Sequence, residues 1–202
     1  MPQSTRTPDS DTRSTILERA IPLFAESGFA GVSMRDIAAA TGIMPASLYH
    51  HFSDKEALHL EAMRYAFADK AQTFSKALGS GGSPQDRLKR LVARLYDAMV
   101  ADPRFHRLLQ RELLDGDDKR LRNLVSQVFE QPFKEIAALA KEIAPQCDPH
   151  LLTISIAGLV IYHLEITPIR RFLPGYRKAH DDPKRVSEHI FRLLVHGIGE
   201  TP

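Results

Sequence analysis

The chain has no tryptophan, one cysteine and little net charge, with 27 Lys and Arg against 25 Asp and Glu. Each shortage excludes something. The lone Cys147 rules out an internal disulfide framework and a Cys-based zinc site, and suits a reducing cytoplasm. The longest apolar stretch, residues 151–164, is too short and too interrupted to span a bilayer, so no membrane partner is expected. The first residues, MPQSTRTPDSDTR, lack an apolar signal-peptide core, and residues 1–11 read as a disordered arm. Internal repeats and strand-period segments are also missing. So are the marks of an enzyme. Residues 79–83 are Gly-rich but lack a following Lys-Ser/Thr, so they read as a linker. No nucleophile–base pair or cofactor motif stands out, and no catalytic residue or cofactor is expected. His163, His189 and His196 have no acidic or Cys partner at ligand spacing, so no metal is expected.

What is present is helical punctuation, densest in residues 32–58, VSMRDIAAATGIMPASLYHHFSDKEAL. Ser33 suits a helix N-cap and Asp36 the reciprocal position of a capping box. Ile37 and Ala38 take the inner face, and Gly42 supplies the residue tolerant of positive φ that stops the helix. Ile43 packs back under the turn. Pro45 fits the first turn of a second helix, 45–51, with Leu48 and Phe52 inward. Ser53 is expected to cap a third helix, with Asp54 and Glu56 in its first turn. Two short helices joined by a tight turn are a helix-turn-helix, whose second helix can enter a DNA major groove.

The same residues carry a resemblance to the tetracycline-repressor (TetR) family of bacterial transcription regulators. It rests on Gly28-Phe29, Ser33-Met34-Arg35-Asp36-Ile37-Ala38, Gly42-Ile43, Leu48-Tyr49-His50-His51-Phe52 and Lys55-Glu56-Ala57-Leu58. It runs over about residues 12–60. Met44-Pro45, Ala46 and Val32 depart from the family's usual residues. The resemblance implies phosphate contacts from Tyr49 and Lys55, a double role for Ser33 as cap and phosphate contact, and Arg35 on phosphate or a base edge. It places Ala46 and Ser47 in the groove, where a thymine methyl and several bases are available, and Pro45 against a sugar or thymine methyl. His50 is expected to face DNA and His51 to face inward. Residues 1–55 carry five Lys and Arg against six Asp and Glu, so the reader would depend on a few placed groups and on helix termini rather than on bulk charge.

The whole chain reads as all-α: an N-terminal three-helix helix-turn-helix domain (12–58) plus a C-terminal helical ligand-binding and dimerisation domain (59–202). Further helices are expected over 12–27, 53–78, from Pro84, from Pro103 to Leu114, over 118–144 with a bend near Pro132, over 149–166 and from Pro183. The 149–166 helix is apolar nearly all round, so it is expected to be covered on every side, by its own domain or by a second subunit. The family resemblance implies that it and the last helix form a four-helix dimer interface with their copies. Tyr162, His163 and Glu165 place polar groups on or beside that apolar helix and are candidate lining of a small-molecule pocket. The implied protein is a cytoplasmic homodimer that binds a double-stranded DNA operator of palindromic form and responds to a small-molecule effector. The 53–78 helix would be the lever between its domains. An alternative keeps the DNA binding but docks a protein partner on the C-terminal helices.

Overall fold

The computed structural model describes residues 8–197, which contain helices and no strand. They are α1 (Pro8–Ser27), α2 (Met34–Thr41), α3 (Pro45–His51), α4 (Lys55–Gly79), α5 (Pro84–Ala101), α6 (Pro103–Asp115), α7 (Asp118–Leu124), a π-helical turn (Val125–Phe129), α8 (Glu130–Ile143), α9 (Pro149–Glu165), α10 (Thr167–Arg170), a 3₁₀ turn (Lys178–Asp181) and α11 (Pro183–His196). No helix among the described residues is long and apolar enough to cross a membrane.

Local chemistry sets most boundaries. Ser33 accepts from the N–H of Asp36 while the Asp36 carboxylate accepts from the N–H of Ser33, a complete capping box at α2. Ser83 and Asp86 repeat it at α5. Gly42 ends α2 at φ 72°, and the Ile43 N–H reaches back to the Ala38 carbonyl at 3.1 Å. Prolines open α5, α9 and α11 in the first turn, where their missing N–H costs nothing.

Three expectations need correction. The first helix starts at Pro8 rather than Thr12, so residues 8–11 are helical, and residues 1–7 lie outside the described residues. Asp54, not Ser53, caps α4: its Oδ1 accepts from the Ala57 N–H at 2.8 Å, and the Ser53 hydroxyl donates to Asp54 Oδ2 at 3.1 Å. The irregularity expected at Pro132 sits one turn earlier, as the π turn Val125–Phe129. A proline ring displaces the carbonyl four residues before it, here that of Val128, and a widened turn accommodates this. Within the single chain, α9 is covered on one side. Thr153, Ile156 and Val160 are buried, while Leu151, Ile154 and Tyr162 stay exposed.

The described residues fall into two compact units. The first joins residues up to Asp69 with Pro103–Phe129, so the helix-turn-helix shares a unit with α6 and α7. Its core holds Ile16, Ala20 and Phe24 of α1, Ile37 of α2, Leu48 of α3, Leu58 and Met63 of α4, and Phe105 and Leu108 of α6. The second joins Lys70–Asp102 with the chain from Glu130. There α5 packs against α8, α9 and α11, and Leu88, Leu91, Val92, Leu95 and Met99 form a buried stripe along α5. On α11, Val186 and Ile190 are buried and Leu193 and Leu194 half-buried.

Gly42→Ala places a Cβ at a left-handed position with no neighbour within 4 Å, so the cost is conformational alone. Denaturant unfolding is expected to show a loss of about 1–2 kcal/mol.

Candidate nucleic-acid interface

The reader is held at the C-terminal end of α3 and along its inner face. At the C-terminus of α3 the Arg13 guanidinium donates to the His51 carbonyl at 2.5 Å, pairs with Glu61 at 3.3 Å and lies 4.3 Å from the centre of the Phe52 ring. A cation at a helix C-terminus satisfies a carbonyl that has no partner within the helix. On the inner face, Leu48 is fully buried and Phe52 nearly so. The short α3 therefore takes its orientation from packing rather than from its own stability, which seven residues cannot supply.

What remains outward on α3 is a coherent row. Ala46, Tyr49 and His50 are exposed, Pro45 and Ser47 half-exposed, and positions 46, 49 and 50 share one face at helical spacing. Tyr49 is 53% exposed. Arg35 on α2 is exposed as well. Neither Arg35 nor Tyr49 nor His50 has a hydrogen bond or ion pair among the described residues. His51 is half-buried. Met44, 74% exposed at the N-cap of α3, extends the row, and reading the sequence did not single it out as a site residue. A large apolar side chain left in solvent beside a helix start was the available signal.

Two of the expected contact residues also make bonds inside the unit. The Ser33 hydroxyl donates to Asp36 Oδ2 at 2.7 Å besides accepting the cap bond. The Lys55 ammonium donates to the carbonyls of Phe29 (2.9 Å) and Val32 (3.0 Å) and lies 4.1 Å from the centre of the Phe29 ring. Two of its three donors thus tie α4 to the α1–α2 connection, a role that motif position did not reveal. The two acids nearest the reader are also engaged. Hydrogen bonds from Ser33 hold the Asp36 carboxyl below its usual range, and the Ala57 N–H does the same for Asp54.

Behind Lys55 lies a buried polar cluster that spacing did not reveal. Phe29 is gripped between two cations, since the Arg120 guanidinium stands 4.2 Å from the same ring centre. Arg120 donates to Glu112 Oε1 at 3.0 Å and pairs with Asp115 at 3.3 Å. His59, 5% exposed, meets Phe24 and Phe29 edge-on at 4.7 and 5.3 Å, with Nε2 3.7 Å from Glu112 Oε2. Burial, then the charges of Arg120 and Lys55, push the His59 pKa down to about 4. Burial raises that of Glu112, although Arg120 opposes it. Both shifts oppose a charged His59–Glu112 pair, so His59 is a neutral ring at neutral pH and the Glu112 charge belongs to Arg120.

The candidate pocket residues separate. Only His163 lines a cleft, of about 470 Å³, beside α10 and α11; Tyr162, 63% exposed, and Glu165, also exposed, do not line it. At about 100° per residue, Tyr162 and Glu165, three apart, lie on neighbouring parts of one face, and His163 points away from them. Among the described residues no cluster of three His, Cys, Asp or Glu is arranged to hold a metal ion.

Residues 16–62 match the model described as bacterial regulatory proteins, tetR family. Over these residues the chain is similar to the tetR family. This is a family of transcription regulators rather than enzymes. The chain is 38% identical over 92 residues to the HTH-type transcriptional repressor KstR2 of Rhodococcus jostii (strain RHA1), covering 46% of this chain and 45% of that protein. Its matches span about half the length of several such curated relatives. Among solved structures it is similar to the fatty acid degradation regulator FadR from Bacillus halodurans (TM-score 0.78, 17% identity, 98% of this chain and 100% of that one). It is also similar to AibR in complex with isovaleryl coenzyme A and operator DNA (TM-score 0.68, 20% identity, 91% and 98%). At these identities the structural likeness establishes the fold.

The buried neutral His59 makes stability depend on pH. Its folded pKa lies below the unfolded value of 6.5, so the unfolded chain binds the extra proton between them. Stability from this residue is complete above pH 6.5 and falls as pH drops toward 4, by on the order of 3 kcal/mol. The raised Glu112 acts in the opposite sense, so the test is a difference. Thermal midpoints of wild type and His59→Gln should converge as pH falls from 7 to 4; parallel curves would refute a buried neutral histidine. Lys55→Ala should lower stability by about 1–3 kcal/mol through the two lost carbonyl bonds. If instead stability is unchanged and the DNA salt slope drops by about one, Lys55 is a phosphate contact after all.

Proposed function

We propose that the chain is a transcription repressor that binds a palindromic operator as a homodimer, reading each half-site with α3, and that a small-molecule effector releases it. The observation that carries the DNA reading is the outward row Pro45, Ala46, Ser47, Tyr49 and His50, with Arg35 beside it, on a helix pinned at its end by Arg13. Such a row is otherwise unexplained, because its polar groups take no part in the unit's own bonding. The relative named as a repressor and the fold shared with a regulator held in complex with operator DNA support the same reading. Tyr49 and Arg35 contact phosphate, Ala46 and Ser47 meet base edges, Pro45 touches a sugar or thymine methyl, and His50 faces the groove. Ser33 and Lys55 support the frame.

The dimer reading is carried by α9. Leu151, Ile154 and Tyr162 recur on its uncovered side, and Leu193 and Leu194 of α11 are only partly covered. A helix this apolar needs a cover on that side, and a second copy supplies one with two-fold symmetry, which a palindromic operator mirrors. This favours homodimerisation over the docking of a different protein. An effector acts by binding one of two dimer conformers better than the other, which is the only way it can shift their balance.

Selection of genomic fragments by the purified chain, followed by gel shift, should return a palindromic site; recovery of no common sequence would defeat the proposal. Tyr49→Phe should weaken binding about two- to tenfold on every sequence alike, the loss of one phosphate hydrogen bond. Ser47→Ala should change base preference within the half-site. Ile154→Asp should give a folded monomer in sedimentation velocity that no longer shifts the operator. A variant that stays dimeric would place the interface elsewhere.

A further inference from the structure

The cleft at the C-terminal end of α9 is lined by residues other than the outward row of α3 and the exposed Leu151, Ile154 and Tyr162 of α9. It contains three guanidinium groups, Arg170, Arg177 and Arg185, over apolar Ile166, Leu173 and Val186, and no carboxylate lines it. Its volume of about 470 Å³ lies within the range of small-molecule sites. All of these residues belong to the second compact unit.

The three arginines are not equivalent. Arg170 is 9% exposed and structural: it donates to the His180 carbonyl at 2.8 Å and to the His163 carbonyl, and stands 3.7 Å from Asp181. It locks the end of α9 to the turn before α11, giving the cleft a fixed back wall. Arg177 and Arg185 are exposed and have no carboxylate partner among the described residues; the only side chain bonded to Arg177 is His180. Elsewhere in the same unit exposed cations do find acids, as in Lys89–Glu188 at 2.8 Å and Lys134–Glu130 at 2.5 Å. His163 and His189 complete the wall, edge to face at 5.8 Å. Burial first, then Arg170 and His189, hold His163 below the ordinary histidine range, so it is a neutral ring at neutral pH.

Two unneutralised guanidiniums over an apolar floor suit one chemistry. A guanidinium presents paired N–H donors that match a carboxylate or phosphate, and the floor rewards an attached hydrocarbon. We propose that this cleft binds an amphiphilic organic anion, a carboxylate or phosphate joined to an apolar chain, with Arg177 and Arg185 on the head group and Ile166, Leu173 and Val186 along the chain. The inference names the effector class of the regulator proposed above, and rests on that reading only for the effect on DNA.

The test is calorimetry on the full chain without DNA, at constant ionic strength and below micelle-forming concentrations. The probes are decanoate, decyl phosphate, inorganic phosphate and decyltrimethylammonium. At least one of the two decyl anions should bind at least tenfold more tightly than inorganic phosphate or the ammonium, and the tighter of them names the head group. Affinity should rise about three- to fourfold per methylene along the series from hexyl to decyl, as expected for hydrocarbon leaving water. Arg177→Ala and Arg185→Ala should each weaken binding about tenfold or more, with unchanged far-ultraviolet circular dichroism. Equal binding of the decyl cation, no binding of either decyl anion, or unchanged affinity in the double variant would overturn the proposal. A chain that shifts an operator but binds neither anion fails this inference alone; one that binds the anion but selects no DNA fails the repressor reading alone.

Discussion

The helix-turn-helix unit depends on one aromatic ring held between two cations. Phe29 follows the turn that ends α1, with Lys55 of α4 on one side and Arg120 of α7 on the other, each about 4 Å from the ring centre. The ring has no polar group, yet it collects three chain segments, because each cation is anchored again elsewhere: Lys55 on the carbonyls of the α1–α2 connection, Arg120 on Glu112 of α6. His59 closes the cluster from within and remains neutral there. Removing one cation would leave the other and the Glu112 carboxylate poorly compensated in a buried place, so the parts stand or fall together.

That arrangement explains how a reader of low net charge can still be specific in shape. The acids near the reader serve as caps, Lys55 serves as a clamp, and the groups left outward are few: Arg35, the α3 row and Met44. Phosphate attraction averaged over the domain is not what this surface offers. It offers a small set of donors and apolar contacts at fixed positions, which is the requirement for reading bases rather than merely approaching DNA. The second unit shows the complementary pattern. Three of its guanidinium groups meet at one cleft with an apolar floor, and apolar side chains stand exposed on one side of α9.

Much of this was legible in the residues. Ser33 with Asp36, Gly42 with Ile43, and Pro45 are local signals, because caps and turns are decided by atoms within five residues of one another. The inward positions Ile37, Leu48 and Phe52 followed from helical spacing. What could not be read was any partnership across distance. Arg13 meets the His51 carbonyl 38 residues away, and Lys119 meets Glu56 63 residues away. The same gap hid the anchoring of Lys55, whose motif position says nothing about the carbonyls it would find. It also grouped Tyr162 and Glu165 with His163, although only His163 lines the cleft.

The sequence by itself determined an all-helical chain, the order and ends of most of its helices, and the family that its first quarter resembles, since these rest on short-range propensity and on a motif of contiguous residues. Only the tertiary structure decided which cations are structural and which remain available, which side of α9 is left bare, and where guanidinium groups gather over an apolar floor. Those outcomes depend on which distant residues come within a few ångströms, and a side chain's role changes once a carbonyl, a ring or a carboxylate is brought to meet it.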